Sequence, residues 1–379
     1  MKFAKLVFKN ILRNKIRTVL TLLSLTVSLF LIITLGTVLT EFDRGTEESN
    51  PLRLVTRHSV SLTFPLPISD VERIRSVPGV KDAMPFSWFG GIWKDERNFF
   101  ANFATDPNRL RTIISELKMS EAEWQAFIND RQGAIVGKKL VTLYGFQPGQ
   151  RITLKSPIYN AEVEFIIRGV CTGGDEKTLF FHNEYLNEML PAWAKDKVGT
   201  ISIVANTPED VPKVAQAIDS IFVNTDAPTK TESEREFALS FQTMFGSVKQ
   251  FLYAIMAAIT FSVLLIMGNT MAMTVRERTK EVGTLKAIGF QRHTIALLFL
   301  AEALIVATIG GLIGIGGASL LYRSIDLGTI IPFFNAFVPT KETLIGAFVL
   351  SIVVGLISVA YSAYRVSGLT IAQALRSTE

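Results

Sequence analysis

A chain of 379 residues that is 48% hydrophobic and 19% charged, with a mean hydropathy of +0.32, combines two regimes that a soluble protein of this length seldom mixes. The formal charge of +5 would suit nucleic acid or a membrane surface, and the placement of the charges decides for the membrane. The single cysteine, Cys171, cannot close an intrachain disulfide, so it says nothing about redox compartment.

Residues 1–17 hold Lys2, Lys5, Lys9, Arg13, Lys15 and Arg17 and no acid, a basic cytoplasmic segment beside a membrane. Residues 18–40 follow without a charge and are long enough, at about 1.5 Å per residue, for a first transmembrane helix. A basic stretch before an apolar one can be a secretory signal. This run exceeds the usual apolar length, and "GTVLTEFD" offers no small-x-small cleavage site, so the helix is expected to be retained.

Residues 41–249 form an insert large enough for its own core, with a mixed α+β pattern. "SVSLTF" alternates as a strand should, and "ISDVERIRSVPGV" reads as a short helix running into a Pro-Gly turn. Strands are expected in "DAMPFSWFGGIW" and "RNFFANFAT", and a helix in "SEAEWQAFINDR". "GAIVGKKLVTLYGF" reads as strand then helix, before the turn "QPGQ" and the strands "RITLKS" and "AEVEFIIRGVC". "GTISIVAN" is a strand and "TPEDVPKVAQAIDSIFVN" a helix with Thr207 as N-cap; with a further extended piece they suggest a split βαβ unit. Residues 231–249 are expected to form a continuous helical stalk leading to the second span.

Three more segments can cross a bilayer: residues 250–275, 294–322 and 343–364. A charged loop at 276–292 separates the second and third, a short outer loop at 323–342 separates the third and fourth, and a tail at 365–379 closes the chain. The fold class is therefore an α-helical membrane protein with four transmembrane helices and an α+β extracytoplasmic domain between the first two. Lys and Arg crowd the N-terminal segment and the 276–292 loop, while the 323–342 loop has only Arg323 and Lys341. This bias predicts both termini and the charged loop in the cytoplasm and the insert outside.

The third span carries Glu302 and a run of glycines. A carboxylate inside the bilayer is costly and ordinarily faces a partner; a hydrogen bond to a neighbouring helix is expected, with a proton relay as the alternative. Gly310 and Gly314 have the spacing for close helix packing, or else mark a kink near the outer surface.

Catalytic chemistry finds little support. No G-x-x-x-x-G-K-[ST] phosphate loop occurs, so ATP hydrolysis by this chain is not expected. His58, His182 and His293 stand in no metal-ligating spacing, and no cofactor or metal is expected. "CTGGDEKT", from Cys171, reads as a surface loop.

"VRERTKEVGTLKAIGF", residues 275–290, interrupts the apolar spans. As a helix it aligns Val275, Val282 and Leu285 on one ridge, with Gly289 placed to stop it. A loop that only retains positive charge inside accounts for the lysines and arginines. It accounts neither for Glu277 and Glu281 nor for the helix-then-glycine order. A mixed-charge helix against the membrane suits docking into a cytoplasmic protein.

"VRERTKEVGTLKAIGFQRHTI" resembles the corresponding segment of MacB/FtsX-type permeases, the membrane subunits of type VII ABC systems. "NILRNKIRTVLTLLSLTVSL" at the first span, "LTIAQALR" in the tail and "GAIVGKKLVTLYGFQPGQRITL" in the insert are similar to the same family, the last to its MacB-like periplasmic core. Where the family often has Tyr-Pro-Ala at the exit of the last span, this chain has "YSAYR".

The resemblance implies two paired permeases, a second copy or a paralogue, above a separate dimeric cytoplasmic ABC ATPase, with a periplasmic adaptor and no nucleic acid. It implies residence in the cell inner membrane. Residues 276–289 would be the coupling helix, with Arg276, Glu277, Arg278, Glu281, Gly283, Lys286 and Gly289 coupling to the ATPase, and motion would pass through the 231–249 stalk to the outer domain. Export or extraction of a substrate from the outer side is the leading reading. The alternatives are an FtsX-like non-transporting regulator of a cell-wall hydrolase and a lipoprotein-release subunit of the LolC/LolE kind.

Overall fold

The computed structural model describes residues 10, 13–47, 49–96, 98–244, 246–324 and 337–376. They fall into a helical unit drawn from both ends of the chain and an α/β unit within residues 43–244.

The chain enters through α1 (Lys15–Glu47), apolar and long enough to cross a membrane. The α/β unit then builds one nine-stranded sheet, ordered β11-β1-β10-β3-β4-β8-β5-β7-β6, and a small β2-β9 pair. Its first part holds β1 (Arg53–His58), β2 (Leu66–Pro67), α2 (Asp70–Arg75) and β3 (Val80–Trp88). Asp70 and Glu72 in the first turn of α2, and Arg73 and Arg75 in its last, complement the helix dipole. Next come β4 (Ala101–Thr105), α3 (Pro107–Ile113) and α4 (Glu121–Asn129). The Asp106 carboxylate caps α3 by accepting from the Asn108 amide, and Ser120 with Glu123 forms a capping box on α4.

The distal part comprises β5 (Gly133–Gly137), α5 (Lys138–Tyr144), β6 (Arg151–Ser156), β7 (Ala161–Cys171), β8 (Thr178–His182) and α6 (Asn183–Met189). The edge strand β6 alternates strictly between exposed and buried residues, whereas the central β5 and β8 are buried throughout. The unit closes with β9 (Lys197–Val198), β10 (Thr200–Ala205), α7 (Val211–Phe222), β11 (Thr229–Ser233) and α8 (Glu234–Met244). β1 lies between β10 and β11 and is antiparallel to both, so β10-α7-β11 is a split βαβ unit. Ile201 and Ile203 face α2 and α7 through Ile74, Val214, Ile218 and Phe222, while Val204 belongs to the opposite core with Met84, Trp124 and Phe127.

Four sequence expectations for this unit need correction. "SVSLTF" is not a strand: its residues form turns, and the strand is the preceding Arg53–His58, which pairs on both edges. Thr207 does not cap through a backbone amide; its hydroxyl donates to the Asp210 carboxylate at 2.8 Å. Cys171 ends β7 inside the core at 1% exposure rather than lying in a surface loop. Residues 231–233 belong to β11, pinned where Asp219 accepts from the Thr231 amide and hydroxyl, so helix begins only at Glu234. Phe245, between α8 and the next helix, lies outside the described residues.

The helical unit continues with α9 (Gly246–Glu277), α10 (Thr279–Ala287), α11 (Arg292–Ser324), α12 (Lys341–Gly368) and α13 (Ile371–Arg376). α9, α11 and α12, like α1, are long and apolar enough to span a bilayer. Small residues bring them together. A Cβ on Gly310 would stand 2.6 Å from Leu25 Cδ2, one on Gly314 3.1 Å from Leu29 Cβ, and one on Gly355 2.6 Å from Ala307 Cβ. The Gly310-xxx-Gly314 stripe is thus the surface on which α1 sits.

Candidate functional site: an ion-paired helical turn at one end of the bundle

The sequence around the second span reads as a single helix through residues 275–282, yet the helix breaks. α9 ends at Glu277, Arg278 adopts φ −100° and ψ 12°, and α10 starts at Thr279. α10 then stops in a Schellman arrangement: Gly289 is left-handed at φ +94°, its amide donates to the Lys286 carbonyl, and the Phe290 amide donates to the Leu285 carbonyl. Val275 and Val282 are buried at 1% exposure, and Gly283 beside them is buried too, so this ridge faces the bundle.

Arg278 turns inward from the break. It is 8% exposed; its Nη1 donates to Glu302 Oε1 at 2.6 Å and its Nε to Glu281 Oε2 at 2.9 Å. Its guanidinium lies 5.0 Å from the centre of the Phe299 ring, one turn before Glu302 on α11. Glu302, 4% exposed, accepts a second bond from Asn10 Nδ2 at 2.8 Å. Its partner is therefore a charged residue of the 276–292 loop as well as a polar side chain.

Arg13 just before α1 and Arg17 in its first turn complete the site. Arg13 pairs with Glu281, and Arg17 grips Glu277 with both terminal nitrogens, Nη1 at 3.0 Å, while also reaching the Thr274 hydroxyl at 3.3 Å. Asn10, Arg13 and Arg17 are spaced i, i+3, i+7 and meet Glu302, Glu281 and Glu277 in that order. Burial works against ionisation of Glu281, but the hydrogen bonds from Arg278 and Arg13 outweigh it and hold its carboxyl below the usual range. A cavity of about 220 Å³ opens between these groups, lined among others by Arg17, Thr274, Glu277, Arg278 and Glu302. On the other side of α10, Lys286 Nζ donates to the Leu369 carbonyl next to α13, and the Arg292 guanidinium stacks 4.3 Å over the Tyr364 ring. α13 carries its own capping box, formed by Thr370 and Gln373.

The residues singled out from sequence therefore separate into three groups. Arg276, Glu277 and Gly289 are exposed; Glu281 and Lys286 are half-buried; Arg278, Gly283 and Glu302 are buried, and Gly310 and Gly314 lie further along α11 against α1. Asn10, Arg13 and Arg17 escaped sequence reasoning as site residues because a basic tail is explained by topology alone. Their helical spacing and the matching acids were the available clue. Exposed on α10 are Lys280, Thr284, Ala287 and, just past its end, Ile288 at 69%. Among the described residues no group of three or more His, Cys, Asp or Glu could hold a metal. The site offers a braced, outward-facing helix.

Four membrane-length helices and an α/β domain inserted after the first mark a membrane protein with an extracytoplasmic domain. Residues 18–221 match the MacB-like periplasmic core domain and residues 253–371 the FtsX-like permease C-terminal family. The chain belongs to the MacB/FtsX-type ABC transporter permeases, a membership that implies an ATPase partner.

It is similar to an uncharacterized ABC transporter permease of Methanocaldococcus jannaschii, 24% identical over 76% of this chain and 74% of that one. It is also similar to the macrolide export ATP-binding/permease protein MacB of Bdellovibrio bacteriovorus (24% identical, 82% of this chain, 49% of the relative). A third relative is the pyoverdine export ATP-binding/permease protein PvdT of Pseudomonas fluorescens (26% identical, 81% and 46%). The chain spans about half the length of the latter two. Among solved structures, the periplasmic region of MacB from Actinobacillus actinomycetemcomitans aligns with 52% of this chain and 95% of its own at a TM-score of 0.38 and 10% identity.

Proposed function

We propose that this chain couples ATP hydrolysis by a separate dimeric ABC ATPase to movement of its extracytoplasmic domain, driving export or extraction of a substrate from the outer side of the membrane. The observation that carries the reading is α10: a short helix stopped by Gly289, braced on its inner ridge, with Lys280, Thr284, Ala287 and Ile288 exposed along one face. An exposed isoleucine at the end of such a helix, with a lysine two turns back on the same face, suits an apolar cleft with an acidic rim on the ATPase. The Lys and Arg bias favours a cytoplasmic position for this end.

This assignment redistributes the coupling residues. Glu277, Arg278 and Glu281 brace the turn through Arg17, Glu302 and Arg13, while Lys280, Thr284 and Ile288 meet the ATPase. Gly283 lets α10 lie against the bundle, and Gly289 ends it. Closure of the ATPase would move α10 together with the base of α1 and α9, and the chain that follows β11 would carry the motion to the α/β unit. A second permease copy or paralogue and a periplasmic adaptor complete the assembly. Two relatives are named as exporters of a macrolide and of pyoverdine, which favours export as the direction of work.

Copurification with candidate ATPases tests the reading. Lys280→Glu with Ile288→Glu is expected to abolish assembly and ATPase stimulation; if both survive in a chain that still inserts, the docking assignment is wrong.

A further inference from the structure

Residues 275–282 contain neither proline nor glycine and are rich in residues that favour helix, so nothing local requires a break at Arg278. The cause must be tertiary, and one contact has the geometry for it. Glu302 sits 4% exposed on α11 and takes the Arg278 guanidinium at 2.6 Å, with Phe299 on the same face of α11 under its plane. The other edge of the guanidinium reaches Glu281, one turn into α10, at 2.9 Å. Arg278 therefore ties α11 to α10 from the single residue between two helices, and Asn10 ties the segment before α1 to the same carboxylate at 2.8 Å.

We propose that Glu302 is the positioning residue of the docking helix: by drawing Arg278 into the bundle it imposes the break between α9 and α10 and fixes the direction in which α10 presents Lys280, Thr284 and Ile288. The inference rests on the proposed docking role of α10. A one-residue junction has only two soft dihedrals, and a planar guanidinium bonded on two edges restricts them to one setting. A neutral hydrogen-bonding partner in place of the carboxylate keeps the volume but loses the charge that pulls Arg278 away from water. α10 would then sample orientations, including the straight continuation of α9 that its sequence favours. Docking by one body would become docking by an ensemble in which only a fraction is competent.

The test uses the full chain in lipid nanodiscs with spin labels at Thr284→Cys on α10 and Tyr361→Cys on α12; Cys171, in the core, stays unlabelled. The unaltered chain is expected to give one narrow distance distribution. Glu302→Gln is expected to lose that single peak and to raise the ATPase concentration giving half-maximal stimulation roughly tenfold, with the maximal rate kept, as expected for a lost charge-assisted bond. A purely structural role would instead lower the amount of folded chain without moving the half-maximal concentration. Should Glu302→Gln destabilise the chain, Glu302→Met with Arg278→Met removes both charges and leaves neither buried alone. That double variant is expected to fold well and still lose the narrow distribution. A narrow distribution in either variant overturns the proposal. If the distribution broadens while Ile288→Glu leaves ATPase binding intact, Glu302 positions α10 but α10 is not the docking helix, and only the functional reading fails.

Discussion

The Arg278 guanidinium and the Glu302 carboxylate meet at 2.6 Å, 8% and 4% exposed, joining the turn between two helices to a buried position on a third. Each charge would be expensive in this position alone; together, with Asn10, Glu281 and Phe299 around them, their hydrogen-bonding capacity is largely met.

Breaking that pair should cost far more than removing it. Glu302→Ala leaves the Arg278 charge buried and is expected to destabilise the helical unit by about 3–5 kcal/mol. Glu302→Met with Arg278→Met should recover most of the loss. Thermal aggregation midpoints of the purified chain in detergent report the difference, and equal midpoints for the single and double variants would contradict it.

Gly355 stands where α12 crosses α11, and a Cβ there would lie 2.6 Å from the Ala307 Cβ, an atom fixed to its backbone. Gly355→Val is therefore expected to force the helices apart and to cost about 1–3 kcal/mol, the range for overpacking. Gly346 meets nothing within 4 Å, so Gly346→Ala on the same helix should be neutral in the same thermal assay.

The thiol of Cys171 is buried at 1% exposure, and burial pushes its pKa up to about 12, with Glu176, Asp175 and Glu123 adding to the effect. The folded chain should resist alkylation by maleimide at pH 8 and take up one equivalent once unfolded in denaturant. Rapid labelling of the native chain would show that β7 opens locally.

All four tryptophans, Trp88, Trp93, Trp124 and Trp193, belong to the α/β unit, so their fluorescence follows its unfolding within the whole chain. Burial holds His182 below its ordinary 6.5, against the opposing bond to the Phe127 carbonyl. Glu116, though burial resists its ionisation, is held below its ordinary 4.5 by Asn50, its backbone and Arg53. In both cases the unfolded chain binds more protons, so stability is full above the unfolded pKa and falls with pH. The denaturant midpoint should decline first as pH drops through about 6.5 and again below about 4.5, where the carboxylates titrate. His182→Gln should remove the upper step and leave the lower one.

Much of this architecture is legible because its patterns are local. Uncharged runs mark the four apolar helices, and the strict alternation of "RITLKS" marks an edge strand with one wet face. β8 escaped notice because "TLFFH" is buried on both faces and shows no period; its neighbours on either side are strands distant in sequence. "SVSLTF" has the right alternation without a partner to pair with, while "RLVTRH" alternates less cleanly but fills the slot between β10 and β11. Strand identity there is a property of the slot.

The same division runs through the site. Composition and charge bias alone marked a four-span membrane protein with a charged loop between its second and third spans, because hydropathy and capping act within a few residues. Which side chains of that loop face outward, and which are held inside, was decided by Asn10, Arg13, Arg17 and Glu302, whose approach depends on how the helices pack. Glu277 and Glu281 look available in a linear reading; in three dimensions Arg17 and Arg13 engage them, and Ile288 takes the exposed place. A buried carboxylate can redirect a helix because an unpaired charge in an apolar bundle costs more than one broken turn.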